Sequence, residues 1–332
     1  MKSETAPAAA SVAAPTPAVR VISHLRDRVG ESPVWDGEQQ ALYWVDIEGR
    51  KIHRHDWATQ TQQSWDTAER TGCIALSARG GLIAAMETGV FAITFKAPPR
   101  LKAELLAPVT HPRPNMRFND GRCDARGRFW ISTMCMDGAL AAPVGGWRCL
   151  DEHGLSEAHC EGLITPNGLA FSPDGRRVYF SDSHPSVQRI WVFDFDLENG
   201  KASAGREFVD MTPLPGRPDG AAVDAQGNYW ICGNDAGQVH CFSPAGELVR
   251  SVHVPVAKPS MCAFGGPALD VLLVTSIQPA GAVAGLSGAV FAIDIGTHGL
   301  PEPRFSRFPT PRTDRPEPAR SGAGQARTRP GA

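Results

Sequence analysis

The chain has 332 residues, of which 42% are hydrophobic and 20% charged, and its formal net charge at pH 7 is −2. This composition predicts a soluble globular protein with a sizeable core. There is no basic excess to attract a phosphate backbone and no run of about 18 apolar residues, so neither a nucleic-acid partner nor a membrane partner is expected. Eight cysteines without a CxxC pair favour buried reduced thiols.

The two ends of the chain differ in composition from its centre. Residues 1–19 are rich in Ala, Pro and Ser, and prolines interrupt their only apolar run. Because a secretory signal needs an unbroken apolar segment of about 7–15 residues, we interpret residues 1–19 as a flexible N-terminal arm of a cytoplasmic protein. Residues 310–332 are rich in Pro, Arg and Gly, and 306–332 is expected to be a disordered C-terminal tail. Residues 20–305 are expected to form one domain.

A short unit recurs along this central region. It is a turn that ends in Gly, followed by a strand of aromatic or β-branched residues, and the glycines of its six copies are at 37, 81, 127, 175, 227 and 266. A second strand follows several copies at a short interval, as in antiparallel meanders. Six copies predict an all-β fold, a six-bladed β-propeller, because radial repetition of four-stranded sheets buries many short strands with few exposed edges. A β-sandwich pair or a parallel β-helix would not explain so long a period.

Polar residues precede the repeat turn in four of the copies. The innermost strands of a propeller face its central channel, so these residues are expected to share a site on the axis. Taken singly, Asn-Gly and Pro-Asp-Gly are common turn formers, but four segments in register favour a site. The segments are GESPVW at 30–35, RFNDG at 117–121, TPNGLAF at 165–171 and RPDGAAVD at 217–224.

These segments offer only oxygen donors, namely two carboxylates and one or two amides. Such a set suits a hard divalent cation, Ca²⁺, Mg²⁺ or Mn²⁺, with Zn²⁺ or Fe²⁺ as alternatives when water completes the shell. The sequence therefore predicts a central metal site. A serine hydrolase is disfavoured because the sequence contains no G-x-S-x-G elbow.

Further strings occur in order and at blade spacing along the chain. They are LYWVDI at 42–47, GRFW at 127–130, TM at 133–134, PNGLA at 166–170, PDG at 218–220 and FGG at 264–266. With the segments at 30–35 and 117–121, they resemble the family of senescence marker protein (regucalcin), gluconolactonase and luciferin-regenerating enzyme. The resemblance spans about residues 22–305.

This resemblance implies a propeller that hydrolyses sugar lactones with one divalent metal on its axis. The implied metal ligands are Glu31, Asn167 and Asp219, and Asp219 is also the implied catalytic base. Arg117 and Asn119 would bind the sugar lactone. Asp137 would contact its hydroxyls, at an offset where animal members carry Glu.

The leading hypothesis is a cytoplasmic, metal-dependent lactonase that opens a gluconolactone- or pentonolactone-like ring to the aldonic acid and acts as a monomer or weak homodimer. One alternative is an esterase of the same fold for non-sugar lactones or organophosphates. Another is a calcium-binding, regucalcin-like protein without turnover. The joint presence of Arg117, Asn119 and Asp137 favours catalysis, since metal binding alone needs no substrate-binding residues.

Overall fold

The structure is a computed structural model and describes residues 17–282 and 285–310. Within these residues it contains 25 β-strands and one short 3-10 turn, and no helix there is long and apolar enough to cross a membrane. The strands form six antiparallel sheets, each built mainly from consecutive strands. The predicted six-bladed β-propeller is therefore confirmed.

The first three blades follow one another along the chain. Blade one comprises β2 (Gly30–Asp36), β3 (Ala41–Asp46), β4 (Lys51–Asp56) and β5 (Gln62–Asp66). Blade two comprises β6 (Cys73–Leu76), β7 (Leu82–Ala85), β8 (Gly89–Phe95) and β9 (Leu101–Pro108). Blade three comprises β10 (Met116–Cys123), β11 (Phe129–Cys135), β12 (Gly145–Asp151), β13 (Gly154–Leu155) and β14 (Cys160–Leu163), and the 3-10 turn Gly138–Leu140 follows β11.

The last three blades complete the ring. Blade four comprises β15 (Pro166–Phe171), β16 (Arg177–Asp182), β17 (Arg189–Asp196) and β18 (Lys201–Asp210). Blade five comprises β19 (Arg217–Val223), β20 (Tyr229–Asn234), β21 (Gln238–Phe242) and β22 (Leu248–His253). Blade six comprises β23 (Pro259–Gly265), β24 (Val271–Ser276) and β25 (Val290–Asp294), with β1 (Val19–Ser23) paired antiparallel to β25. A strand from the start of the chain thus closes the ring onto its last blade.

The hydrophobic core is divided among the contacts between neighbouring blades. Trp44 and Trp230 are at most 1% exposed, and Phe129 and Phe291 are fully buried. Cys232 and Phe264, for example, belong to one apolar cluster that spans blades five and six. Burial of a large apolar side chain contributes roughly 1.5–3 kcal/mol, so the strands rich in aromatic and β-branched residues also hold adjacent blades together.

Residues 302–310 cross the face that carries the repeat turns. Glu302 forms an ion pair with Arg122 of blade three, and Phe305 is fully buried with its N–H bonded to Leu76 O at 2.7 Å. The chain also contacts the propeller beyond residue 305, where Thr310 N donates to Glu152 O at 3.2 Å. Residues 1–16 of the predicted arm and 311–332 of the predicted tail lie outside the described residues.

Buried aspartates organise two of the repeat turns. Asp124 is fully buried and accepts hydrogen bonds from Arg126 N (2.9 Å), Arg128 Nε (2.6 Å) and Trp130 Nε1 (2.9 Å). Asp224 plays the same part in blade five, where Trp230 Nε1 donates to it at 3.0 Å. The turn is therefore connected to the blade core through its aspartate.

We expect Asp124→Ala to lower the free energy of unfolding by about 3 kcal/mol, because it leaves the buried Arg128 guanidinium without its charge partner. Equilibrium urea denaturation followed by tryptophan fluorescence measures the loss. Asp174→Ala is the matched control, since Asp174 occupies an exposed repeat turn of blade four and should cost less than about 1 kcal/mol. Equal losses in the two variants would contradict the role assigned to Asp124.

Candidate active site

Five of the six inner strands carry a β-bulge. The exception is β6 of blade two, which pairs with β7 without any shift in register. A bulge bends its strand and redirects the side chains within it, so the bulges aim polar groups at the axis. The register shifts fall between Glu31 and Val34, Phe118 and Gly121, Asn167 and Ala170, Pro218 and Ala221, and Pro259 and Cys262.

All the site residues predicted on inner strands lie at or beside these bulges. Glu31, Asn119, Asn167 and Asp219 fall in four different blades, and the last three are at most 9% exposed. The residue after Asn167 is Gly168 with φ +69°, and a Cβ there would lie 2.5 Å from the Tyr229 hydroxyl. The Asn-Gly pair therefore marks a bulge that only glycine fits, rather than an ordinary turn.

A chain of side-chain hydrogen bonds connects blades three, four and five. Arg117 Nη1 donates to Asn119 Oδ1 at 2.6 Å, and Asn119 Nδ2 donates to Asn167 Oδ1 at 2.7 Å. Asn167 Nδ2 donates in turn to Ser183 Oγ at 2.6 Å, and Ser183 Oγ donates to Pro218 O at 2.5 Å. The predicted sugar-binding residues thus contact one of the predicted metal ligands directly.

Arg117 contributes a partly buried cation at this site. Besides its bond to Asn119, its Nη1 donates to Phe118 O at 2.8 Å, whereas its Nε has no hydrogen-bond partner among the described residues. A guanidinium has five N–H donors. Arg117 therefore keeps donors for a polar ligand in the channel.

The carboxylates of the site repel one another. Burial raises the pKa of Glu31 well above its usual value, and the nearby Asp219 and Asp120 carboxylates raise it further. Burial likewise raises the pKa of Asp219 to about 7, although Asn234 Nδ2, which donates to Asp219 Oδ2 at 2.5 Å, acts in the opposite direction. The site concentrates negative charge that the protein compensates only in part.

These residues fit a divalent cation. Glu31 and Asp219 would contribute two carboxylates and Asn167 a neutral amide oxygen, which are ligands that hard cations prefer. No group of three or more His, Cys, Asp or Glu side chains suited to a metal occurs in residues 17–282 and 285–310, so the fit depends on counting the amide. A bound cation would also offset the repulsion that raises the carboxyl pKa values.

Asp137 lies at the same end of blade three, just after β11, but it is exposed. Its Oδ1 accepts from Ala139 N at 3.2 Å and thereby caps the 3-10 turn Gly138–Leu140. The structure does not bring it into the hydrogen-bonded chain of Arg117, Asn119 and Asn167. A contact between Asp137 and substrate hydroxyls stays a prediction.

The sequence prediction assigns no binding or catalytic role to three buried residues near the axis, namely Asp120, Ser183 and Asn234, although Asp120 lies within the RFNDG segment. Ser183 directly follows β16 and Asn234 ends β20, so each lies at the C-terminal end of the second strand of its blade. Ser183 and Asn234 lie beside the bulged segments only through strand pairing, since Asn234 pairs with Arg217 and the residue before Ser183 pairs with Pro166.

The structure is a six-bladed β-propeller whose bulged inner strands carry oxygen donors suited to a divalent cation. Residues 29–278 match the family model described as SMP-30/Gluconolactonase/LRE-like region, and the chain belongs to this family. The resemblance drawn from the sequence motifs is confirmed.

Named relatives align over nearly their whole length. The chain is 35% identical to 6-deoxy-6-sulfogluconolactonase of Pseudomonas putida, covering 84% of this chain and 95% of the relative. It is 32% identical to pentonolactonase XacC of Haloferax volcanii, covering 83% and 94%. The crystal structure of regucalcin from Agrobacterium tumefaciens, described as a calcium-binding protein, superposes with a TM-score of 0.81 at 26% identity, covering 88% of this chain and 98% of that one.

Proposed function

We propose that this protein is a divalent-metal-dependent lactonase that opens a sugar lactone to its aldonic acid. The observation that carries the proposal is the hydrogen-bonded series Arg117–Asn119–Asn167, together with the positions of Glu31 and Asp219 at the bulges of two other blades. Relatives that are named for the hydrolysis of a gluconolactone and of a pentonolactone support the substrate class.

Glu31, Asn167 and Asp219 would hold the cation. A divalent ion there supplies Lewis acidity toward the lactone carbonyl, which is worth several kcal/mol in the transition state. The regucalcin structure, which is described as that of a calcium-binding protein, supports a divalent cation as the cofactor. The donor set accepts Ca²⁺, Mg²⁺, Mn²⁺, Zn²⁺ and Fe²⁺, so availability decides which ion is used.

Asp219 acts as the general base. Its carboxylate takes a proton from the attacking water, a contribution of roughly 10²–10⁴-fold. Asn234 donates to Asp219 Oδ2 and so holds the orientation of the carboxylate. The proton then passes to the leaving alkoxide of the opened ring, which completes hydrolysis of the ester bond.

Arg117 and Asn119 bind and orient the lactone. The fixed guanidinium of Arg117 stabilises the oxyanion that develops as water adds to the carbonyl carbon. Asn119 holds Arg117 through Oδ1 and Asn167 through Nδ2, which places the substrate-binding group at a constant position relative to the cation ligand. Asp137, in the loop that follows β11, is proposed to contact the sugar hydroxyls.

Proton release from gluconolactone tests the proposal, with and without a chelator. We expect EDTA to lower the enzymatic rate at least about 100-fold, because the Lewis acid is lost, and we expect one of the five divalent ions to restore it. A panel of five- and six-membered sugar lactones, run beside non-sugar lactones, identifies the preferred ring. Rates equal to the buffer blank under all conditions would overturn the lactonase. Tight Ca²⁺ binding without turnover would instead support the non-catalytic alternative.

A further inference from the structure

Asp120 is a buried carboxylate on the axis that neither the predicted metal ligands nor the substrate-binding residues include. It lies in the bulge of β10, next to Asn119, and is 5% exposed. Its Oδ1 accepts from Gly121 N at 2.7 Å, and its Oδ2 accepts from Leu169 N of blade four at 2.9 Å. Both carboxylate oxygens are therefore used on backbone N–H groups.

The acceptor role of Asp120 follows from the bulges. A bulge leaves a backbone N–H without its partner in the strand ladder, and a buried unpaired N–H is costly. Leu169 lies within the bulge of β15, between Asn167 and Ala170. The Asp120 carboxylate therefore satisfies a donor that the bulge of the neighbouring blade leaves open.

Asp120 and Asn119 together hold the segment that carries Asn167. Asn119 Nδ2 donates to Pro166 O at 3.0 Å on one side of Asn167, and Asp120 accepts from Leu169 N on the other. Ser132 Oγ of blade three lies beside the same contact. It accepts from Asp120 N at 3.1 Å, and its single proton has two acceptors within reach, Asp120 O at 3.1 Å and Pro166 O at 3.3 Å. The backbone of blade four is thus connected to blade three on both sides of Asn167.

We propose that Asp120 is a positioning residue for the cation site, which acts by holding the bulge that presents Asn167 rather than by binding the ion. The inference rests on the proposed function, because it assigns Asn167 to the cation. The hydrogen bonds from Gly121 N and Leu169 N require two acceptor oxygens on a side chain of the length of Asp. Asn offers one acceptor and turns an NH₂ group toward an N–H donor, whereas Glu keeps the charge but lengthens the side chain by one methylene within a packed site.

Titration calorimetry of the full chain with Mn²⁺ tests this role. We expect Asp120→Asn and Asp120→Glu each to weaken Mn²⁺ binding about tenfold or more, as for other residues that orient metal ligands. Asp224→Asn is the matched control, since Asp224 is also buried and accepts from backbone N–H groups, but in a repeat turn. It should lower the melting temperature and change Mn²⁺ affinity by less than about twofold. Ser132→Ala is a milder variant that should weaken Mn²⁺ binding about threefold.

Each outcome decides the matter. Wild-type Mn²⁺ affinity in Asp120→Glu together with weak binding in Asp120→Asn would overturn positioning in favour of a distant effect of charge. Affinity no lower in the Asp120 variants than in Asp224→Asn would overturn it in favour of a purely structural role. If the Asp120 variants do not fold, unchanged affinity in Ser132→Ala overturns it. A wild-type protein that binds none of the five divalent ions, Mn²⁺ included, overturns the proposed function itself. If the wild type binds Mn²⁺ and hydrolyses the lactone, the proposed function stands, and unchanged affinity in the variants overturns only the role of Asp120.

Discussion

Replacing Asp219 with Ala is expected to reduce kcat/KM at least about 10⁴-fold and to weaken divalent cation binding. The substitution removes a proposed carboxylate ligand and the proposed general base in one step, and general base catalysis alone accounts for roughly 10²–10⁴-fold. Asp219 is 7% exposed and is the acceptor that Asn234 Nδ2 contacts, so its loss also leaves Asn234 without that partner. Steady-state kinetics on the preferred lactone, together with calorimetric titration of the cation, measure the two effects separately.

Two further variants define what Asp219 contributes. Asp219→Asn keeps the shape of the side chain and removes its charge, so activity as low as in Asp219→Ala would show that the carboxylate itself is needed. Asp174→Ala, at an exposed turn of blade four, should keep activity within about twofold. Wild-type turnover in Asp219→Ala would show that the assignments of base and ligand are both wrong.

The fold could be predicted from local signals because each blade repeats the same ones. A glycine such as Gly127, with φ +73°, ends a turn that requires a positive φ, and the strand after it is marked by aromatic residues such as Phe129. These signals depend on the nearest neighbours in the chain. They therefore survive in the sequence of a single protein, and counting them is enough to number the blades.

The site could be predicted only where its residues lie next to such signals. Asn167 precedes Gly168 and Asp219 precedes Gly220, so the small residue within the bulge also marks the proposed site residue before it. The partners of these residues carry no local mark. Asn234 meets Asp219 only because β20 returns beside β19, and Asp120 meets Leu169 only because blades three and four are adjacent. Such contacts follow from the packing of strands that lie far apart in the sequence.

The electrostatics of the site also depend on tertiary packing. Glu31 and Asp219 are 188 positions apart in the chain, yet the Asp219 carboxylate contributes to the raised pKa of Glu31. The sequence motifs identify both acids as oxygen donors, but they carry no information on how strongly burial disfavours the charged forms. The structure adds that the two acids lie close together in one poorly solvated region. Their mutual repulsion there is the physical reason to expect a cation.

Replacing Asn119 with Ala is expected to lower kcat/KM about 10³-fold and to weaken cation binding by no more than about tenfold. Asn119 lies between Arg117 and Asn167. Its Oδ1 accepts from Arg117 Nη1 at 2.6 Å, and its Nδ2 donates to Asn167 Oδ1 at 2.7 Å. Its removal frees Arg117 from the position in which we propose that it stabilises the oxyanion, and loss of one such donor typically costs about 10²–10³-fold in turnover. Asn167 keeps its bond to Ser183, so the ligand loses only one of its two side-chain contacts.

The split between the two measurements separates this role from a structural one. Kinetics at saturating cation measure the effect on substrate binding and turnover. Titration with Mn²⁺ in the absence of lactone measures the effect on cation affinity. Asn119→Asp is the companion variant. It keeps an acceptor for Arg117 but loses the N–H donors that contact Asn167 and Pro166, so it should retain more turnover than Asn119→Ala only if the contact with Arg117 is the important one. Equal turnover in the two variants would assign the loss to the contacts with blade four, and a cation affinity that falls as far as turnover would make Asn119 part of the cation site rather than of the substrate site.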